Sequence, residues 1–173
     1  MIDLFIGSIF LSNVLLTKYL GIRIDKDKSL TVTILISIIT IISSIVNYFV
    51  YSLLLKLNAI YLRNLIFILD IVIVSSIVLM IYKLITNNED DILPVVVSNS
   101  LILGVSLFVT SSGYDLINTI VYTIGSSVGY ILVMFLFYYM DKELSKRKVL
   151  VSFKGYPIML ITLGILCMVL ERL

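Results

Sequence analysis

The sequence predicts an all-α integral membrane protein: six transmembrane helices in a single domain covering residues 1–173. They form two inverted three-helix repeats, about 1–86 and 87–173, with the first and fourth helices interrupted. Three observations predict this. Hydrophobic residues make up 60% of the chain, charged residues only 14%, and mean hydropathy is +1.14. Soluble domains are typically about 45–50% apolar and about 25% charged. The apolar residues fall in long continuous runs with no period-two alternation, which excludes barrel strands. Last, a four-residue pattern, Ser-Asn-x-Leu, recurs in the first and fourth runs, at Ser12 and Ser98.

A bilayer span takes roughly 20 apolar residues, so six use about 120 and leave no room for a soluble domain of ordinary size. The first run is about Leu4–Ile22, interrupted at Ser12-Asn13 and carrying Lys18. No Lys or Arg precedes it, so it is expected to be a retained span, not a cleaved signal. A charged loop from Arg23 to Lys28 leads to the second run, about Leu30–Leu55, with Ser43, Ser44 and Asn47 inside it. After Lys56 and Asn58 comes the third, about Ile60–Ile85, containing Asp70. Asn87–Asp91 is an acidic loop. The fourth run, about Pro94–Val109, holds Ser98-Asn99-Ser100, and Thr110–Asp115 is a tight turn. The fifth, about Ile117–Met140, has Gly125 and Gly129 at the spacing that permits close helix approach. Asp141–Lys154 reads as the longest loop, followed by a short sixth run, about Tyr156–Leu170.

Orientation follows from the cations. Arg23, Lys26, Lys28, Lys83, Lys142, Lys146, Arg147, Lys148 and Lys154 lie in the odd-numbered loops. Lys56, Arg63 and Arg172 lie on the other side. This bias favours cytoplasmic odd loops and both termini outside, in a prokaryotic cytoplasmic membrane. The basic stretch Lys142–Lys154 suits anionic lipid headgroups. A net charge of +2 is too weak a field to suggest nucleic acid. With no histidine, Ser-His and Cys-His catalysis and His-ligated metals are excluded. The single cysteine, Cys167, makes neither an internal disulfide nor a thiolate cluster site.

Ser12 and Ser98 lie 86 positions apart (98 − 12), each opening a group of three runs. An odd number of spans per half inverts the halves. Matching interrupted helices in such halves point to a polar site near the midplane. The residues placed there are Asn13, Lys18, Arg23, Asp70, Ser98, Asn99 and Ser100. A charge at the bilayer centre costs about 2.5–3.5 kcal/mol, so such residues face a protein interior, a water path or one another. Asp70 is about ten positions into its run, roughly 15 Å deep. It is expected to pair with Lys18 or Arg23, or to carry a proton or a sodium ion.

Three stretches resemble the six-span membrane subunits of the Rnf electron-transport complex and of the sodium-pumping NADH:quinone reductase, most closely the A-type Rnf subunit. They are Ser12–Gly21, Ile60–Leu69 and Leu93–Gly104, with weaker support from Gly125–Met134 and Phe153–Gly155. The resemblance implies a subunit of a redox-driven ion-translocating complex. Its partners would be other membrane subunits, including a second six-span relative, and the chemistry would belong to cofactors held elsewhere. It also implies a [2Fe–2S] cluster at mid-membrane, with two cysteines from each of two such subunits. Here Arg23 and Ser100 stand at those two positions, so no metal or cofactor ligand is assigned. A runner-up from another class is a stand-alone small-solute transporter or the membrane component of a vitamin importer. The Ala-x-x-x-Ala docking face of such importers is missing, since Ala59 is the only alanine.

Overall fold

A computed structural model describes residues 2–9, 29–86, 92–144 and 156–170. Seven α-helices account for most of them, and no strand occurs among the described residues. In chain order these are α1 (Ile2–Ile9), α2 (Ser29–Lys56), α3 (Arg63–Thr86), α4 (Leu93–Val97), α5 (Ser100–Ser111), α6 (Leu116–Leu144) and α7 (Tyr156–Leu170). A 3₁₀ turn, Ile60–Leu62, leads into α3. Four stretches are long and apolar enough to cross a membrane: Leu30–Lys56, Ile60–Thr86, Leu93–Ser111 and Leu116–Met140. These cover the second to fifth apolar runs.

Backbone groups in hydrocarbon must be satisfied within the segment, which is why continuous apolar runs become helices. Where the helices end, the residue types supply the stop. Asn58 closes α2 at φ 54°, with Ala59 N–H donating to Leu54 C=O and Asn58 N–H to Leu55 C=O. That is the left-handed cap in which asparagine substitutes for glycine. Gly113 closes α5 in the same way at φ 65°, with Tyr114 N–H donating to Val109 C=O. Asp115 then opens α6, its carboxylate accepting from Asn118 N–H at 3.2 Å. Phe108 stacks on Tyr122 at 4.9 Å, and Tyr114 packs on both rings, fixing this turn. Contrary to the expected long loop from Asp141, α6 continues to Leu144. Asp-Lys-Glu-Leu has no helix breaker, and the helix runs through its first charges.

The core is built along α2 and α6, which pack on each other. α1 lies against α6, α5 against α2, and α3 against α2, α4 and α5. Between helices in a bilayer there is no hydrophobic drive, so close packing of small residues matters most. Both helices supply them: Thr33, Ser37, Thr40 and Ser44 from α2, and Thr119, Thr123, Ser126 and Ser127 from α6, all buried. Several hydroxyls are satisfied inside their own helix: Ser37 to Thr33 C=O, Thr40 to Ile36 C=O, and Thr123 to Thr119 C=O. Ser127 crosses instead, donating to Ser37 C=O at 3.4 Å. Gly125 is a point of close approach to α1. A Cβ there would run into the Ser8 hydroxyl and lie 3.0 Å from Phe5 C=O.

α2 and α6 share one burial pattern. Residues 31–50 and 121–140, offset by 90, agree in being buried, partly buried or exposed at all but three positions, 31/121, 45/135 and 46/136. Ile34, Ile38, Ile42 and Phe49 point outward, and so do Ile124, Val128, Leu132 and Tyr139 at the matching positions. The two chemically identical buried pairs, Thr33/Thr123 and Ser37/Ser127, obey the same offset.

Candidate functional site

The fourth apolar run breaks where two polar residues enter it. α4 starts with Leu93 and Pro94, and proline suits a helix start because it has no N–H to satisfy. It ends at Val97, and the chain passes through Ser98 and an extended Asn99 (ψ 111°) before α5 begins at Ser100. Asn99 is buried and bonds in both directions. Its Oδ1 accepts from Leu101 N–H at 2.9 Å, capping α5, and its Nδ2 donates to the Tyr130 hydroxyl at 3.3 Å on α6. Ser98 and Ser100, on either side, are exposed, and the Ser98 hydroxyl donates to Val95 C=O. Asn99 is thus the member of this triplet that faces the interior. Asn13, Lys18 and Arg23 lie outside the described residues, and with them the expected ion pair to Asp70.

Asp70, partly buried on α3, accepts a hydrogen bond from the Ser43 hydroxyl of α2 at 3.1 Å. Next to Ser43, Ser44 reaches the Ser106 hydroxyl of α5 at 3.4 Å, and Asn47 Nδ2 donates to the same oxygen at 3.1 Å. Ser106 gives its own proton to Ile102 C=O at 2.9 Å. Because a hydroxyl has one proton, Ser44 must be the donor to Ser106. Ser43, Ser44, Asn47 and Ser106 are all essentially inaccessible, at 0–1% exposure. Asn47 Oδ1 has no hydrogen-bond partner. Three helices therefore meet at a buried polar cluster with a carboxylate at its edge. Of the residues singled out from sequence, Asp70 belongs to this cluster and Asn99 makes a separate one with Tyr130. Ser43, Ser44 and Asn47 were visible only as polar residues in an apolar run, and Ser106 as a serine in another.

A family model described as Rnf-Nqr subunit, membrane protein matches residues 1–172. The chain belongs to the Rnf-Nqr subunit family. No curated protein matches it. Membership raises the [2Fe–2S] cluster that the resemblance implies, and the donor set can be set against it. An Rnf-Nqr subunit sharing such a cluster would owe it two thiolates. This chain has one cysteine in total, Cys167, within α7. Ser100 is an exposed hydroxyl at the first position of α5. Among the described residues no group of three or more His, Cys, Asp or Glu gathers in metal-binding proximity. These residues do not fit the cluster.

Proposed function

We propose that this protein is a membrane subunit of a redox-driven, ion-translocating electron-transport complex of the Rnf type, closest to the A-type subunit, without iron–sulfur ligands of its own. The observation that carries the reading is the family match across nearly the whole chain together with polar groups buried between apolar helices. A buried polar cluster in hydrocarbon is a functional feature by default, because unpaired polar groups there are expensive. Electron transfer then belongs to cofactors on partner subunits, which include a second six-span relative. This chain contributes scaffold and ion path.

The proposed architecture is six spans in two inverted halves, with both termini outside a prokaryotic cytoplasmic membrane. It is supported by the common burial pattern of α2 and α6 and by the contact of Ser127 with Ser37. Residues related by a two-fold repeat meet each other only near its axis. The offset is 86 between the Ser-Asn pairs and 90 between α2 and α6, so the second half holds four more residues between the two, about one helical turn.

A mild-detergent pull-down of the tagged protein from its native membrane, read by mass spectrometry, tests this. Recovery of a six-span relative with flavin-carrying subunits is the expected result. Recovery of the chain alone, or with an ATPase pair, would overturn it in favour of a small-solute transporter.

A further inference from the structure

We propose that the bilayer midplane crosses the protein at the Ser37–Ser127 contact, and that lipid headgroups meet it at two aromatic bands, Tyr48–Phe49 on one side and Phe135, Tyr138 and Tyr139 on the other. The inference goes beyond the proposed function and rests only on its inverted halves. Three connections separate α2 from α6, so these two spans run antiparallel. The axis relating inverted halves lies in the membrane plane. Ser37 and Ser127 are related by the offset of 90 and touch at 3.4 Å, so the axis passes between them.

Two observations independent of the repeat give the same level. Asp115 and Asp141 bound the uncharged stretch of α6, which centres on Val128. Arg63 and Lys83 bound the apolar stretch of α3, which centres on Ile73. Asp70 is level with Ser43 through their hydrogen bond, and α3 runs against α2, so Ile73 is level with Thr40. That is about 4.5 Å from Ser37.

The surface follows the same register. Around the contact the exposed side chains are aliphatic: Ile34, Ile38 and Ile42 on α2, and Ile124, Val128 and Leu132 on α6. The exposed aromatics of these helices, Phe49, Phe135 and Tyr139, come further out, with Tyr48 and Tyr138 packed beside them. Tyr48 and Tyr138 each lie about 16.5 Å along the helix from the contact. The resulting 33 Å or so shortens to about 31 Å at an average tilt of about 20°, against a hydrocarbon core of about 30 Å. Rings with a polar edge favour that boundary. Charges follow the bands: Arg63 lies 6.0 Å from the Tyr51 ring centre, and Asp141 and Lys142 come after Tyr139.

This register sets the depth of both polar sites. The Asn99–Tyr130 pair lies about 5 Å from the midplane, and Asp70 with Ser43 about 9 Å from it on the opposite side. Hydropathy alone places α2 differently, because its apolar stretch Leu30–Lys56 centres on Ser43. Here the surplus length of α2 emerges past Tyr48 and carries the exposed Leu57 and Tyr61 into the headgroup layer.

The chain has no tryptophan, so one introduced tryptophan is its only indole emitter. The test uses the full chain in phosphatidylcholine vesicles containing lipid brominated either near the chain ends or near the headgroup. Ile38→Trp and Val128→Trp should be quenched about twofold more by the deep bromines, and Phe49→Trp and Tyr139→Trp about twofold more by the shallow ones, since the levels lie about 16 Å apart. Leu57→Trp should be quenched weakly by both. All five positions are exposed, and Ile38 and Val128 report one level if either variant fails to fold. Deep quenching at Phe49→Trp with none at Tyr139→Trp is the pattern of a midplane at Ser43 and would overturn the register. Phe49→Cys and Tyr139→Cys, each with Cys167→Ser, are labelled with a membrane-impermeant maleimide in spheroplasts and in inverted vesicles. Labelling from opposite sides is expected. Opposite sides with the wrong depths overturns the register alone, whereas labelling from one side overturns the inverted halves and the register with them.

Discussion

α2 and α6 are buried in the same places and filled with different chemistry. Along the first half of their shared register both carry small polar residues, Thr33 and Ser37 against Thr123 and Ser127. Along the second half they diverge. Where α2 buries Ser43, Ser44 and Asn47, α6 buries Val133, Met134 and Phe137 at the matching positions. Burial is therefore dictated by the architecture, while polarity is not. Packing alone is served by the apolar version, since it has nothing to satisfy. The polar version costs desolvation and leaves Asn47 Oδ1 unpaired, so it is retained for another reason. Under the proposed function, that reason is ion movement.

Breaking the apolar end should have the largest effect on stability. Phe137→Ala removes a ring that is 2% exposed and should cost about 3–5 kcal/mol, read by unfolding in mixed detergent. Gly125→Val tests the packing that both halves depend on. Its side chain must displace Ser8 and the backbone of Phe5, for a loss of about 1–3 kcal/mol in the same assay. Asn58→Ala strains the left-handed cap of α2 and should cost about 1 kcal/mol, whereas Asn58→Gly should be neutral. Asn47→Leu makes the polar helix resemble the apolar one. Interhelical hydrogen bonds in bilayers average about 0.6 kcal/mol, so this should be the smallest of these losses. If it destabilised as much as Phe137→Ala, the contrast between the two ends would be wrong.

The second and fourth runs were legible because each ends at a residue with a physical reason to stop, Asn58 or the Gly113 turn, whereas the end of the fifth run was misplaced because Asp141–Leu144 has no such residue. The break in the fourth run was legible because Ser98-Asn99 interrupts an apolar stretch soon after Pro94. What could not be read was rotation. That Ser43 meets Asp70 depends on how α2 and α3 turn about their axes, and that Asn47 meets Ser106 joins residues 59 apart in the chain. The common register of α2 and α6 is equally hidden. Only two of its buried pairs are chemically identical, and the rest match in burial without matching in kind.

Uptake of sodium or protons into inverted membrane vesicles energised by the electron-donor substrate of the complex measures the central claim most directly, comparing wild type, Asp70→Asn, Asn47→Leu and Phe137→Leu. The account predicts at least a tenfold loss of uptake for the first two variants at normal protein levels, with Phe137→Leu retaining uptake in proportion to its abundance. Full uptake by Asp70→Asn and Asn47→Leu would contradict it and leave the polar half of α2 with a packing role alone.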